Sequence, residues 1–196
     1  MANISEFKAQ LTGGGARANQ FRVELSFPTF VTGGIPAALK GQFLCRSAQL
    51  PSSNINDIPL QYRGREVHIA GERTFEPWTV SIYNDTDFII RNAMEVWSNG
   101  IQNNEGTDGR VNPSDYQVTM SVYQLDRAGN PIKRYTFVDA YPLNISAIAL
   151  DFDAANAIET FDVTFQYNYW TSDTTGTSGG FGVNASISTP IGSIPL

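Results

Sequence analysis

The chain has 196 residues, of which 41% are hydrophobic, 12% aromatic and 16% charged, and its formal net charge is −6. This length and composition predict one folded domain with short appendages and argue against a disordered chain. The acidic balance opposes a protein that wraps nucleic acid through phosphate contacts, because such a surface repels phosphates.

The counts of cysteine and histidine exclude several chemistries. A single cysteine, Cys45, excludes an internal disulfide and a cysteine-based zinc site, and a single histidine, His68, excludes the common multi-histidine metal sites. We interpret Cys45 as a buried, inert thiol and His68 as an exposed or interface residue. The first residues lack the pattern of a secretory signal, and no run of about 18 apolar residues exists, so we predict no membrane-spanning segment.

The N-terminal residues 1–17 are predicted to form an arm. Ile4, Phe7, Lys8 and Leu11 follow helical spacing, and the three glycines at 13–15 then form a hinge. The arm is either a frayed terminus or a segment that docks on a neighbour.

Strands are predicted next, over residues 20–27 and 41–48, with a loop rich in glycine and proline between them. Residues 54–70 follow the pattern of a β-hairpin whose turn is Arg63–Gly64. Because isolated two-stranded ribbons are marginal in water, this hairpin needs cover from the same subunit or from another.

A strand around Trp78, Val80 and Ile82 then leads into the predicted long helix, residues 87–99. Asp85 or Thr86 would cap this helix, and Gly100 would end it. We expect Trp78 and Trp97 to lie in the core.

Four more strands follow at the spacing of an all-β domain. They are predicted over residues 116–125, over 133–140, after Pro142 with Ile148, Leu150 and Phe152 inward, and over 159–170. The fold class is therefore mainly β, an antiparallel β-sandwich or open barrel with one flanking α-helix. This domain spans residues 18–170, and residues 171–196 form a flexible extension rich in serine, threonine and glycine.

No catalytic, cofactor-binding or metal-binding constellation is predicted. The chain lacks the nucleophile elbow and the phosphate-binding loop. Asp151, Asp153 and Glu159 resemble part of a calcium loop, but Asn156 stands where such a loop needs glycine, and a turn is the better interpretation. Glu72 and Glu76 could be a carboxylate pair, although nothing sets their separation. We therefore predict that the protein is not an enzyme and has no cofactor.

Three stretches resemble the tail tube proteins of contractile-tailed (myovirus) bacteriophages. They are ANQFRVELSF at 18–27, GERTFEPWTVSIYNDTDF at 71–88 and IETFDVTFQYNYW at 158–170. The extension after Trp170 and an insert around residues 30–39 depart from the compact members. The resemblance implies hexameric rings of β-sandwich subunits that stack into a hollow tube, around which a sheath contracts. In this role the chain would be part of the virion, assembled in the host cytoplasm. Its partners would be copies of itself, the tail sheath, baseplate, tail terminator and tape measure proteins, and DNA passing through the lumen without specific binding.

The hairpin and the residue after it supply the candidate contacts of such a ring, since edge strands that meet between subunits remove unpaired edges. The predicted subunit-interface residues are Ile58, Leu60, Tyr62, Arg63, Arg65, Val67, Ile69 and Arg73. Arg73 could bridge a carboxylate of the next subunit or hold a local loop. Asp57 and Glu66 are the predicted lumen residues, with ordinary solvated charges as the alternative.

Two other functions remain open. One is a baseplate or tube-terminator protein of the same fold, which would form a single ring. The other is a carbohydrate-binding β-sandwich in which Tyr167, Tyr169 and Trp170 form a stacking platform.

Overall fold

The computed structural model describes residues 3–11, 14–106 and 108–173. The elements in chain order are α1 (Ile4–Gln10), β1 (Phe21–Glu24), α2 (Gly34–Leu44), β2 (Cys45–Ala48), β3 (Asn54–Tyr62), β4 (Arg65–Thr74), β5 (Trp78–Tyr83), α3 (Ile89–Ile101), α4 (Pro113–Tyr116), β6 (Val118–Leu125), β7 (Pro131–Ile145), β8 (Thr160–Gln166) and β9 (Tyr169–Ser172). Within the sequence-predicted extension 171–196, residues 171 and 172 belong to β9, and residues 174–196 lie outside the described residues.

Seven strands form one antiparallel sheet in the order β1-β6-β7-β8-β5-β2, with β9 also paired to β7. Strand β7 belongs to two halves of this sheet. Its residues 131–140 pair with β6 and its residues 135–138 with β9, whereas residues 141–145 pair with β8. The predicted mainly β, antiparallel fold is confirmed, and β3 and β4 form a separate two-stranded sheet.

A corner divides the two halves of the sheet. Asp139 has a φ of 59°, and its carboxylate accepts a hydrogen bond from the amide of Asn168 at 2.9 Å. The predicted single strand over 159–170 is therefore two strands, β8 and β9, on either side of this corner. The inward phase changes there, because Tyr167 is buried whereas Tyr169 is exposed.

The core lies between the two halves of the sheet and helix α3. Trp78 stacks on Phe137 with ring centroids 4.2 Å apart, and Phe165 packs against Trp78 and Trp97. All four rings are buried, so the prediction that both tryptophans lie in the core is confirmed. The alternating apolar residues of β5 and β8 face this core, which explains why their pattern predicted strands.

Helix α2 corrects the prediction of a strand over residues 41–48. Residues 41–44 complete this helix, and only residues 45–48 form β2. Gly41 lies where the helix approaches Leu25: a Cβ atom at this position would be 2.9 Å from the Leu25 Cδ1 atom. The glycine is thus needed for close packing rather than for a turn. Alanine, leucine and lysine before it favour the helix.

Helix α3 begins and ends later than predicted. Phe88, with a φ of 52°, occupies the N-cap position without a side-chain cap, and the Asp87 carboxylate accepts the Ile89 N–H at 3.2 Å. Gly100 lies inside the helix rather than after it. A Cβ atom at Gly100 would be 2.2 Å from the Phe30 ring, so packing explains this glycine too.

The predicted strand after Pro142 is wrong. Pro142 lies inside β7, and residues 146–159 form a loop. The Asp151 carboxylate accepts the Asp153 N–H at 3.0 Å, which bends the backbone away from a strand. Leu150 and Phe152, predicted to point inward, are exposed. Residues 113–116 form α4, so β6 begins at Val118 rather than at residue 116.

Candidate assembly surfaces

The hairpin of β3 and β4 has one apolar and one polar face. Directly paired residues of antiparallel strands share a face. The pairs Ile58–Ile69, Leu60–Val67 and Tyr62–Arg65 form one face, which we call the apolar hairpin face. Its apolar side chains are 47–63% exposed, and no residue of either strand is buried. The hairpin therefore presents its apolar side chains without cover from the described part of its own chain.

The turn and a bulge explain why this segment folds as a hairpin. Arg63 and Gly64 have φ values of 48° and 78°, as a two-residue hairpin turn requires. The pairing shifts between Ile55 and Asp57. Opposite this bulge, a Cβ atom at Gly71 would lie 2.9 Å from the Asn56 carbonyl oxygen. Both irregularities lie outside the six residues of the apolar hairpin face, so this face stays continuous.

The polar face carries the two predicted lumen residues. Asp57 is paired with Ala70, and Glu66 with Gln61. The His68 Nδ1 atom lies 2.6 Å from the Asp57 Oδ2 atom, and both side chains are exposed. The structure thus places both predicted carboxylates on the side opposite the apolar hairpin face, with the lone histidine beside one of them.

The three arginines of the predicted interface occupy two different places. Arg63 lies at the tip, with its guanidinium 5.4 Å from the centroid of the Tyr62 ring, and Arg65 is paired with Tyr62. Arg73 lies at the base, where its Nη1 donates a hydrogen bond to the Ser53 hydroxyl at 2.8 Å. Within one chain, Arg73 therefore holds the loop that precedes the hairpin.

Glu76 and Trp170 hold the base of the hairpin to the sandwich. The Glu76 carboxylate accepts hydrogen bonds from Ser52 at 3.2 Å and from Asn54 at 2.9 Å, and the Trp170 Nε1 donates to the Ser52 carbonyl at 2.9 Å. These contacts give Glu76 a structural role that the sequence did not indicate. The predicted pairing with Glu72 as a catalytic carboxylate pair is not part of this network.

The half of the sheet in the order β1-β6-β7-β9 ends in two open edges. In the described residues, β1 pairs with β6 alone and β9 pairs with β7 alone. All three pairings are antiparallel, so the two edge strands run in opposite directions. The sequence pattern missed the β9 edge because the alternation through Tyr167 and Tyr169 looked continuous.

The solvent side of this four-stranded half carries a charged cluster. The guanidinium groups of Arg22 and Arg134 lie 4.7 Å and 5.4 Å from the centroid of the Tyr123 ring. The Tyr123 hydroxyl donates to the Glu24 carboxylate at 2.8 Å. Burial and this hydrogen bond raise the pKa of Tyr123, so the cluster keeps its neutral phenol at ordinary pH.

The residues that could support a reactive thiol, a metal site or a carbohydrate platform do not form such sites. Burial raises the pKa of the Cys45 thiol to about 12, which makes this thiol unreactive. Among the described residues, no group of three or more His, Cys, Asp or Glu side chains could hold a metal ion. The three rings of the proposed carbohydrate platform do not share a surface. Tyr167 is buried, Trp170 is partly buried and bonded to Ser52, and Tyr169 is exposed.

No helix among residues 3–11, 14–106 and 108–173 is both long and apolar enough to cross a membrane.

Comparison with known proteins places this arrangement among phage tail components. The family model described as phage tail tube protein matches residues 16–173. The chain is 32% identical to the tail tube protein gp19 of Enterobacteria phage T4 over 162 residues, which cover 81% of this chain and 93% of that protein. It is 29% identical to the tail tube protein of Serratia phage KSP90, covering 88% of this chain and 98% of that protein.

A solved structure supports the fold independently. The cryo-EM structure of the tube-terminating cap of the anti-feeding prophage superposes with a TM-score of 0.59 at 19% identity, covering 80% of this chain and 89% of that chain. At this identity the likeness concerns the fold alone.

Proposed function

Because the chain belongs to the phage tail tube protein family, we propose that it is the subunit of the inner tube of a contractile phage tail. Six copies form a ring, rings stack into a hollow tube, and DNA passes through this tube into the host cell. The protein is a structural component of the virion, assembled in the host cytoplasm, and it carries out no catalysis.

The exposed apolar hairpin face is the observation that carries this proposal. Five of its side chains are large and apolar: Ile58, Leu60, Tyr62, Val67 and Ile69. A contiguous apolar patch of this kind is rare on a monomer and marks an interaction site. In the proposed tube the face packs against neighbouring subunits, with Arg63 and Arg65 at its tip and Arg73 at its base.

The open edges of the four-stranded half support closure into a ring. Strands β1 and β9 run in opposite directions, so rotation about an axis along the strands brings β9 of one copy beside β1 of the next in antiparallel orientation. A head-to-tail contact that closes in this way removes every open edge of that half and leaves two different ring faces that can stack.

The charge of the subunit suits a conduit for DNA. Six copies at −6 each give a ring of about −36, which disfavours phosphate contact. We place Asp57 and Glu66 at the lumen, where their carboxylates repel the passing DNA. The tape measure protein occupies the same lumen before ejection, the sheath surrounds the tube, and the baseplate and tail terminator proteins contact its two ends.

Electron microscopy of the purified full chain tests this proposal, alone and in the presence of baseplates that nucleate growth. We expect six-fold rings and tubes of constant width. Leu60→Asp, on the apolar hairpin face, should abolish rings, whereas Gln61→Asp, next to it on the polar face, should assemble normally. Both variants should melt like the unchanged protein, because these side chains are exposed in the subunit.

Two outcomes would contradict the proposed function, and a third would contradict only the proposed role of the hairpin. Single rings that never stack would favour the baseplate or terminator role. Dispersed small particles with affinity for glycans would favour carbohydrate binding. Normal tubes from Leu60→Asp would leave the chain a tube subunit but would show that the hairpin is not the subunit contact.

A further inference from the structure

The open edge of β1 has a fixed relation between its side chains and its backbone groups. Phe21 and Val23 pack against the core, whereas Arg22 lies on the solvent side. The Gln20 carbonyl accepts the N–H of Leu125 in β6 at 2.9 Å. Because successive residues of an antiparallel strand direct their backbone groups to alternate sides, Phe21 and Val23 direct theirs away from β6. The residues that face the core are therefore the ones that can bond to a further strand.

The open edge of β9 has the same relation. Trp170 packs against the core, whereas Tyr169 is exposed and Thr171 is half-buried on the other face. The Asp173 N–H bonds to the Arg134 carbonyl of β7 at 3.3 Å, so Asp173 and Thr171 direct their backbone groups to β7. Trp170, between Tyr169 and Thr171, directs its groups to the open edge.

The two edges are complementary because both alternations agree. In an antiparallel contact, opposite residues share a face, and hydrogen-bonded residues direct their backbone groups to each other. Placing Val23 of one subunit opposite Trp170 of the next meets both conditions. A shift by one residue would instead move core-facing side chains to the solvent side. On the solvent side, this register brings Arg22 opposite Thr171 and Glu24 opposite Tyr169.

Shifts by two residues keep the faces but lose part of the pairing. One such shift places Asn168 opposite Val23, although the Asn168 N–H already bonds to the Val138 carbonyl at 3.1 Å. The opposite shift places Trp170 opposite Leu25, which lies beyond the end of β1. The register with Val23 opposite Trp170 therefore gives the largest overlap of the two strands.

The match favours a head-to-tail contact between copies of this chain. Two copies of β1 that overlap in full would place Phe21 opposite Glu24, so a core-facing residue would meet one on the solvent side. Within one chain, β6 and β7 lie between β1 and β9 and keep their edges apart. The partner that the β1 edge fits is therefore β9 of a second copy.

Charge adds to the match on the solvent side. The Arg22 guanidinium lies 3.3 Å from the Glu24 carboxylate, and 41% of the Arg22 side chain stays exposed. Asp173 is exposed and lies two residues after Thr171. In the register described, Asp173 of the next subunit is therefore diagonal to Arg22, a separation that long side chains span. Arg22 can thus bind a second carboxylate across the contact.

We propose that β1 of each subunit pairs with β9 of the next subunit in the ring, with Val23 opposite Trp170, and that Arg22 binds Asp173 of that subunit. This inference rests on the proposed tube function and assigns the register of the contact that closes the four-stranded half into a ring. The backbone hydrogen bonds hold the contact, and the ion pair adds specificity for the neighbouring strand.

Disulfide trapping tests the register in the full-length chain. Arg22 and Thr171 would form a pair without mutual backbone bonds, whose Cα atoms lie about 4.5 Å apart, within the range of a disulfide. Arg22→Cys with Thr171→Cys is assembled, oxidised and run on denaturing gels without reductant. We expect a ladder of linked species up to the closed ring, which reductant removes.

Two displaced pairs and the single variants are the controls for this ladder. Arg22→Cys with Tyr169→Cys and Arg22→Cys with Asp173→Cys each move one cysteine by two residues, so both should link in much lower yield. Each single variant should give no ladder beyond the background from Cys45.

Charge exchange tests the ion pair separately. Asp173→Arg should raise the protein concentration needed for rings by about five-fold, because it replaces an attraction by a repulsion. Arg22→Asp in the same chain should restore most of the loss. Asp162→Arg, the same charge change on β8, is the control and should assemble like the unchanged protein. Sedimentation measures assembly, and melting temperatures show that each subunit is folded.

The outcomes separate the register, the ion pair and the tube function. A ladder from a displaced pair alone, or rings without a ladder from any pair, would overturn the register and leave the tube function intact. Unchanged assembly of Asp173→Arg, or a folded exchange variant that does not recover, would overturn the ion pair. Failure of the unchanged protein to form any ring would instead remove the proposed function, and this inference with it.

Discussion

Two pairs of strands in this subunit have the same alternating pattern and opposite surroundings. In β5 and β8 the apolar residues are buried against α3 and the other half of the sheet, whereas in β3 and β4 every apolar residue is exposed. Alternation therefore reports that a strand pair has an apolar face, but it does not report which chain covers that face.

This difference divides the molecule into a part that stabilises the subunit and a part that stabilises the assembly. Substitutions in the first part should change the free energy of unfolding, and substitutions in the second should change assembly alone. The predictions below test this division, from the largest expected effect to the smallest.

Removing one core ring should unfold much of the population. Phe165 is fully buried between Trp78 and Trp97, so Phe165→Ala should lower the free energy of unfolding by about 3–5 kcal/mol. Leu60→Ala on the hairpin should lower it by less than about 0.5 kcal/mol. Chemical denaturation of the unassembled subunit measures both values. If the two variants lose the same free energy of unfolding, the hairpin stabilises the subunit as much as the core does, and the proposed division is wrong.

Shortening the hairpin should separate folding from assembly completely. Ile55 and Arg73 face each other across the strands, so replacing residues 56–72 with Asn-Gly joins them through a two-residue turn. Glu76 and its contacts to Ser52 and Asn54 remain. We expect a folded subunit with the original melting temperature and no rings by electron microscopy. An unfolded variant would mean that the hairpin belongs to the part of the molecule that stabilises the subunit.

The sequence predicted features that depend on local chemistry and missed those that depend on distant contacts. The hairpin turn at Arg63–Gly64 was predictable because few residues accept positive φ angles. Gly100 suggested the end of a helix and Gly41 the start of a strand, although each lies inside a helix where a distant side chain leaves no room for a Cβ atom. The corner at Asn168 was missed because a change of phase needs the partner strand to be known.

The candidate surfaces were predictable to a similar extent. The hairpin followed from its turn at Arg63–Gly64, its need for cover followed from the instability of isolated two-stranded ribbons, and its two faces follow from alternation alone. Within the loop of residues 146–159, residues 148–152 were misinterpreted as a strand because Ile148, Leu150 and Phe152 alternate with small or acidic residues. Alternation without a neighbouring strand to pair with does not make a strand, and a single sequence does not show which neighbours exist.

An ion-pair cluster between the two long helices offers an intermediate case, neither core nor assembly surface. The Lys40 ammonium contacts the carboxylates of Asp85 and Asp87, just before α3. Hydrogen bonds to the two carboxylates raise the pKa of Lys40, and the same bonds lower the pKa of both aspartates. Lys40→Gln should lower the melting temperature slightly at neutral pH, because surface ion pairs contribute little.

The pH dependence identifies this cluster. Its contribution is present above the ordinary carboxyl pKa of 3.8 and is lost as the pH falls through the lowered values of Asp85 and Asp87. It is likewise present below 10.5 and is lost as the pH rises through the raised value of Lys40. Lys8→Gln, with the same charge change on α1, is the control. A difference between the Lys40 variant and the unchanged protein that persists at pH 2 would point to packing instead.

The smallest effect concerns a polar atom that the core does not satisfy. The Tyr167 ring is 3% exposed and packs against Phe75 and Phe137, yet its hydroxyl has no hydrogen-bond partner among the described residues. Because an unsatisfied buried polar group is costly, Tyr167→Phe should raise the free energy of unfolding by up to about 1 kcal/mol. Tyr123→Phe is the matched control and should lower it, because the Tyr123 hydroxyl is bonded to Glu24.

Alkaline pH should widen the advantage of Tyr167→Phe. Burial, with a smaller contribution from the charge of Glu76, raises the pKa of Tyr167 above its ordinary value of 10.0. Above pH 10 the unfolded chain therefore loses this proton before the folded chain does, and the unchanged protein loses stability that the phenylalanine variant retains. Denaturation at pH 8 and pH 10.5 measures the change. If the difference in the free energy of unfolding between the two proteins stays constant or decreases, the Tyr167 hydroxyl has a hydrogen-bond partner in solution. This part of the core would then be more accessible to water than the buried residues of β5 and β8.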